Sequence, residues 1–78
     1  MINYNVAVDG HVTLKVYDIM GRLVKTLVND YRTAGNASGY SAFWDGTDNF
    51  GSEVSAGLYI YSLTTGSVNM TKKMVLMK

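Results

Sequence analysis

Few residues of this sequence have the types and spacing that catalysis or metal binding requires. The chain has one histidine, His11, and no cysteine. Without cysteine there is no thiolate metal site, and no motif pairs His11 with a second metal ligand or with a nucleophile. No phosphate-binding glycine loop and no serine-hydrolase motif is present. We predict that the protein is not an enzyme and needs no cofactor, and we interpret His11 as a polar residue that opens a strand.

Acidic and amide side chains cluster in the segment that begins at Asp45 and includes Asp48, Asn49 and Glu53. Oxygen ligands at this spacing could bind calcium, but the order of an EF-hand loop is absent. Asp and Asn are also frequent in turns, because their side chains accept hydrogen bonds from nearby backbone N–H groups. We favour the turn interpretation and predict no metal site here.

Four aromatic residues could together form a surface on which a sugar ring stacks: Tyr40, Trp44, Tyr59 and Tyr61. The alternative is that they belong to the core, where a tryptophan buries a large apolar area while its N–H reaches a backbone carbonyl. We favour the core. The other tyrosines are expected nearer the surface: Tyr4, Tyr17 and Tyr31.

Residues that alternate between apolar and polar predict six short strands, at 2–8, 11–18, 22–29, 40–44, 58–64 and 68–77. Asp9-Gly10 is a hairpin signal between the first two strands, and 18–21 and 65–67 have the composition of turns. Segments 30–39 and 45–57 are predicted connections, with a short extended piece at Glu53 and Val54. Because turn signals recur about every ten residues, the pattern is typical of an all-β antiparallel sandwich of the immunoglobulin-like (fibronectin III-like) type, with about six to seven strands.

The predicted core contains the inward positions of these strands: Val12, Leu14, Val16, Trp44, Tyr59, Tyr61, Leu63, Met74 and Leu76. The last strand is unusual because apolar residues occupy both of its faces after Lys73. Met74 and Leu76 point to one side, and Val75 and Met77 point to the other. We assign the first pair to the core and the second pair to a partner.

Length and charge restrict the class of protein further. The 78 residues are enough for one domain, and the formal net charge of +1 gives little attraction for nucleic acid. No apolar run approaches the ~20 residues of a membrane-spanning helix. We expect no N-terminal secretion signal, because no charged-then-apolar segment precedes the first strand, and we expect residues 1–78 to be a single module excised from a larger protein.

Several blocks of the sequence resemble the FlgD-like immunoglobulin domains: segments 12–24, 44–51 and 57–61, with Val54 between the last two. Segment 71–78 is similar to the closing strand of the C-terminal sorting domains of type IX secretion. The resemblance covers nearly the whole chain, from Ile2 to Lys78. It implies an immunoglobulin-like domain without catalytic activity, located at the C-terminus of a secreted or cell-surface bacterial protein.

This resemblance also implies partners. The leading hypothesis is a sorting or anchoring module that presents its last hairpin to an outer-membrane secretion machine. The residues expected at the contact are Lys72, Lys73, Val75, Met77 and Lys78. A structural spacer or assembly module, in contact with other domains of its parent protein, is the second hypothesis. A small carbohydrate-binding module, which depends only on the aromatic residues, is the third.

Overall fold

The structure is a computed structural model that describes residues 2–35, 39–66 and 68–77. These residues form six β-strands and no helix, which confirms the predicted all-β class. The strands are β1 (Ile2–Tyr4), β2 (Gly10–Asp18), β3 (Leu23–Arg32), β4 (Tyr40–Ala42), β5 (Gly57–Thr65) and β6 (Val68–Leu76). Nothing in the described ranges has the length and apolarity of a membrane-crossing helix.

The strands form two antiparallel sheets, as expected for a small sandwich. The larger sheet has four strands in the order β3-β2-β5-β6, and the smaller sheet pairs β1 with β4. The strands of the large sheet are nine or ten residues long, whereas the two strands of the small sheet have three residues each. The two sheets therefore differ greatly in the area that each can cover.

The core is centred on β2, which lies between β3 and β5. Its alternating residues Val12, Leu14 and Val16 are completely buried. Full burial of an aliphatic side chain contributes roughly 1.5–3 kcal/mol, so this row is a major source of stability. Residues from the neighbouring strands and from the first segment of the chain pack against it: Ile2, Tyr4, Val6, Val28 and Leu63.

A second cluster of the core surrounds Trp44, just after β4. The Trp44 ring meets the Tyr59 ring edge to face, with 5.0 Å between centroids. The Trp44 Nε1–H donates to the backbone carbonyl of Thr47 at 2.8 Å, and the Tyr59 hydroxyl donates to that of Ser55 at 2.6 Å. Both polar atoms are thus satisfied while the rings are buried, the arrangement that buried Trp and Tyr normally need.

The predicted hairpin at Asp9-Gly10 is wrong. β1 pairs with β4 in the small sheet, so segment 5–9 crosses between the sheets, and Val8 is exposed. The Asp9 carboxylate accepts a hydrogen bond from the Ala34 N–H at 2.6 Å, which attaches this crossing to the segment after β3. The dipeptide signal is local and does not report that Ile2 and Tyr4 face the core of the other sheet.

Tyr4 also departs from the prediction, because it is buried. Its ring stacks on that of Tyr40 across the β1–β4 pair, with centroids 5.6 Å apart, and the Arg32 guanidinium lies over the outer Tyr40 ring at 5.7 Å. The alternation of Tyr4 with Ile2 and Val6, which are both buried, already contained this information.

β3 extends three residues beyond the predicted strand, and burial does not alternate strictly along it. The register between β2 and β3 shifts twice, because Leu27 and Val24 have no directly opposed partner on β2. Each shift adds one residue to β3, as in a β-bulge, and both extra residues pack against the core clusters. A simple period of two could not describe this strand.

Trp44→Ala should destabilise the domain by about 3–5 kcal/mol, because it removes a ring that is only 9 % exposed and leaves a cavity beside Val16 and Tyr59. Chemical denaturation monitored by far-ultraviolet circular dichroism measures this loss. The neighbouring Phe43 is 69 % exposed, so Phe43→Ala is the matched control and should change stability by less than about 0.5 kcal/mol. Equal stabilities of the two variants would contradict the placement of Trp44.

Candidate functional site

The β5–β6 hairpin carries the residues that the sequence assigned to a partner. Thr65 pairs with Val68 and Gly57 pairs with Leu76, so the ladder runs along the whole of both strands. Gly66 has φ of 57°, as the predicted turn requires, whereas Ser67 lies outside the described residues. The ladder has no register shift, so the face of each β6 side chain is defined.

The inward face of β6 is attached to the core only near its end. Met74 and Leu76 are half-buried and pack against the cluster around Trp44. The Leu76 side chain lies against the buried Gly46, where an added Cβ would approach Leu76 Cδ2 to 3.3 Å. Gly46 also has φ of 80°, so both its conformation and its lack of a side chain favour this contact.

The outward face of β6 leaves apolar side chains in solvent. Val75 is 67 % exposed and Met77, just beyond the strand, is 84 % exposed. Val75 lies opposite the partly exposed Leu58 of β5, which forms a small apolar pair at this end of the sheet. At this end of β6 the two faces therefore differ, because Met74 and Leu76 pack on the core while Val75 and Met77 are exposed.

Lys72 and Lys73 are exposed and point to opposite faces of the sheet. Lys72 pairs with Tyr61, whose side chain packs on the core, and Lys73 pairs with Ile60 on the outer face. The structure thus brings Lys73, Val75 and Met77 to one face and places Lys72 on the other. Lys78, the remaining predicted contact, lies outside the described residues.

The backbone of β6 forms an edge of the large sheet. In a two-residue hairpin the closing pair exchanges both hydrogen bonds, and bonded pairs alternate along an antiparallel ladder. The closing pair here is Thr65 with Val68. Backbone N–H and C=O groups therefore point away from β5 at four alternate positions of β6: Asn69, Thr71, Lys73 and Val75.

The opposite edge of this sheet, β3, is partly covered by the loop after Trp44. The Asn49 N–H donates to the Val24 carbonyl at 3.0 Å, and the Asn49 side-chain oxygen accepts from the Thr26 N–H at 2.9 Å. Lys25 Nζ donates to the Asp48 carbonyl at 3.1 Å. One loop residue thus continues the ladder where a further strand would lie. This role of Asn49 was missed, because no local pattern indicates which distant strand a loop covers.

Carboxylates of the same loop serve its turns. Asp45 accepts from the N–H and hydroxyl of Thr47, and the hydroxyl bond is the main reason why the pKa of Asp45 is lowered. Asp48 accepts from the N–H groups of Phe50 and Ser52. In the described ranges no three acidic or histidine residues group as metal ligands would. The backbones of Glu53 and Thr47 pair in an isolated antiparallel β-bridge. The prediction that this segment binds no calcium stays a prediction.

The other candidates from the sequence are spread over the fold. His11 is exposed on β2, with its Nε2 at hydrogen-bond distance from the Asn29 side chain. Trp44 and Tyr59 are buried, while Tyr40 and Tyr61 are half-buried on different sheets, so the aromatic residues do not form one open platform. Val12, Leu14 and Leu63 lie in the main core cluster, and Val16 lies in the cluster around Trp44.

A shallow cleft of about 350 Å³ lies beside the start of β5, at the same end of the sheet as Val75. The β2–β3 turn forms one wall with Ile19 and Met20, and Leu58 lies on the other wall. Asp18 shapes this turn, because its carboxylate accepts from the N–H groups of Met20 and Arg22 at 2.9 and 3.0 Å. Exposed Ile19 and Met20 line the cleft together with Asp18 and Arg22, and no local pattern of the sequence indicates it.

No protein-family model, curated protein or solved structure matches this chain.

The Asp18 turn makes acid stability testable. The backbone N–H of Arg22 and then its side chain lower the pKa of Asp18 below the ordinary 3.8. A carboxyl whose pKa is lower in the folded state stabilises that state above its unfolded pKa, and the contribution is lost as pH falls through the folded value. The melting-temperature difference between the parent and Asp18→Ala should therefore be full above about pH 5 and shrink below pH 3.8.

Calorimetric melts between acidic and neutral pH measure this difference. Asp18→Asn is the matched control, because an amide oxygen still accepts from both N–H groups but carries no charge. Its deficit should be smaller than that of the alanine variant at neutral pH. A deficit of Asp18→Ala that does not change with pH would contradict the assigned role of the ionised carboxylate.

Proposed function

We propose that this domain is a non-catalytic sorting or anchoring module of a secreted or cell-surface bacterial protein. It would present the β5–β6 hairpin to an outer-membrane secretion machine, which would recognise the shape and backbone of β6. The observation that carries this proposal is that β6 has apolar residues of two kinds, some packed on the core and others exposed to solvent. Met74 and Leu76 hold the strand on the core, whereas Val75, Met77 and the outward backbone groups stay in solvent.

An edge strand of this kind suits recognition by strand addition. The partner gains main-chain hydrogen bonds along the edge, and side chains on alternate positions supply specificity. A long edge is otherwise a risk for aggregation, and proteins usually cover it or interrupt it. Here the β3 edge has the Asn49 loop across it, while among residues 2–35, 39–66 and 68–77 no further strand pairs with the outer edge of β6, which carries Lys72 and Lys73.

The secretion role itself comes from the resemblance of segments 12–24, 44–51, 57–61 and 71–78 to FlgD-like and type IX sorting domains. Two alternatives come from other classes. A spacer would use the fold but would not need exposed Val75 and Met77. A carbohydrate-binding module would need an open aromatic face, and burial of Trp44 and Tyr59 leaves it little support.

Export of a fused reporter from a bacterium with type IX secretion tests the proposal. Val75→Asp and Met77→Asp should lower export, because they place charge on the contact surface, while purified domains should melt near the parent temperature. Phe43→Asp and Phe50→Asp are matched controls: these residues are 69 % and 93 % exposed and are not part of β6. They should export normally.

Two other export results would contradict the proposal. If all four variants export like the parent, the sorting proposal is wrong and the spacer hypothesis replaces it. If the control variants lose as much export as the β6 variants, the signal does not reside on β6, and the proposal is also wrong. Thermal melts of each variant separate a loss of recognition from a loss of folding.

A further inference from the structure

The charges of the β6 edge restrict what can bind there. The ion pairs within residues 2–35, 39–66 and 68–77 are Arg22 with Asp18 and Arg32 with Asp30. In this part of the chain Lys72 and Lys73 therefore have no carboxylate partner. Both are exposed, they lie in the middle of β6, and they point to opposite faces of the sheet.

A second copy of β6 is a poor occupant of this edge. Lys72 is the central residue of the nine in β6, so an antiparallel pair of two β6 strands about their centres would place Lys72 of one copy opposite Lys72 of the other. Like charges directly opposed across a ladder are destabilising. The β3 edge of another copy offers a shorter stretch, because Asn49 already occupies its bonding groups at Val24 and Thr26.

A partner strand with two adjacent acidic residues would provide a carboxylate for the lysine on each face of the sheet. Successive side chains of a strand alternate between faces, so neighbouring carboxylates would point to opposite sides and meet Lys72 and Lys73 separately. Beyond Lys73 the outer face continues with Val75, beside Leu58, which favours an apolar side chain on the partner. On the inner face, exposed Met70 and Val68 offer a similar apolar contact on the other side of Lys72.

We propose that β6 binds an extended acidic segment of a partner protein as a fifth strand of the large sheet. Two consecutive Asp or Glu residues lie opposite Lys72 and Lys73, and apolar residues flank them. The backbone groups of Asn69, Thr71, Lys73 and Val75 supply the ladder hydrogen bonds. This inference rests on the proposed function only in taking β6 as the recognition surface, and it names the chemistry of the segment recognised.

Binding of synthetic peptides to the 78-residue chain tests this. The probe has about ten residues, the length of a long strand, with alternating Thr and Val around a central Glu-Glu. Two further peptides carry Gln-Gln or Lys-Lys instead. Titration followed by amide chemical shifts should give the tightest binding for Glu-Glu, with the largest shifts on β6. The Lys-Lys peptide should bind about tenfold or more weakly.

Charge exchange distinguishes a specific pair from general attraction. Lys73→Glu should weaken binding of the Glu-Glu peptide and strengthen binding of the Lys-Lys peptide. Lys15→Glu is the matched control, because Lys15 lies on the same outer face but on β2, two strands from the edge. It should leave the order of the peptides unchanged. Equal effects of Lys15→Glu and Lys73→Glu would overturn the proposed pairing.

A backbone variant tests the ladder itself. Thr71→Pro removes one N–H that points away from β5, a position where an edge strand tolerates proline. The variant should fold but should no longer bind the Glu-Glu peptide. Should it fail to fold, the Lys73→Glu exchange still decides the question.

The outcomes also separate this inference from the proposed function. No preference for the Glu-Glu peptide would overturn the acidic partner, and the lysines would then only protect the edge from aggregation. Loss of export in Val75→Asp and Met77→Asp would still support sorting in that case. Conversely, peptide binding with normal export of those variants would support the acidic partner and overturn the sorting role.

Discussion

A sheet of two three-residue strands cannot cover a sheet whose strands have nine or ten residues, and this mismatch shapes the whole domain. β1 and β4 place Ile2, Tyr4 and neighbouring side chains over β2, where Val12 and Leu14 are completely buried. The Trp44 cluster extends the cover along β2 and β5 to Met74 and Leu76. Beyond these contacts no other part of the described chain forms a second layer on the large sheet, and most of β6 is exposed.

The two edges of the large sheet are treated differently as a result. The segment after Trp44 folds back on β3, where Asn49 continues the ladder and Lys25 binds the loop backbone. The same segment contributes Gly46 to the packing of Leu76 on β6. One irregular loop thus protects one edge and anchors the end of the other. β6 gains stability from β5 and from two side chains, while its outer backbone stays available to a partner.

The sequence predicted the parts of this arrangement that depend on local pattern. Alternation identified β2 and β5, located Val12, Leu14 and Val16, and divided Met74 and Leu76 from Val75 and Met77. It could not predict that β1 pairs with β4, because strand partners depend on the whole fold. It also could not place Asn49 on β3 or show that the second sheet is too short. The irregular pattern of β3 became clear only with the two register shifts, which insert Val24 and Leu27.

The central claim is that β6 is an open edge whose backbone alternates between bonded and free groups. Amide hydrogen exchange of the isolated domain, measured residue by residue, tests it most directly. We expect slow exchange at Met70, Lys72 and Met74, which bond to β5, and fast exchange at Asn69, Thr71 and Lys73, whose N–H groups point outward. Uniform protection along β6 would contradict it, because a second surface would then already cover the edge.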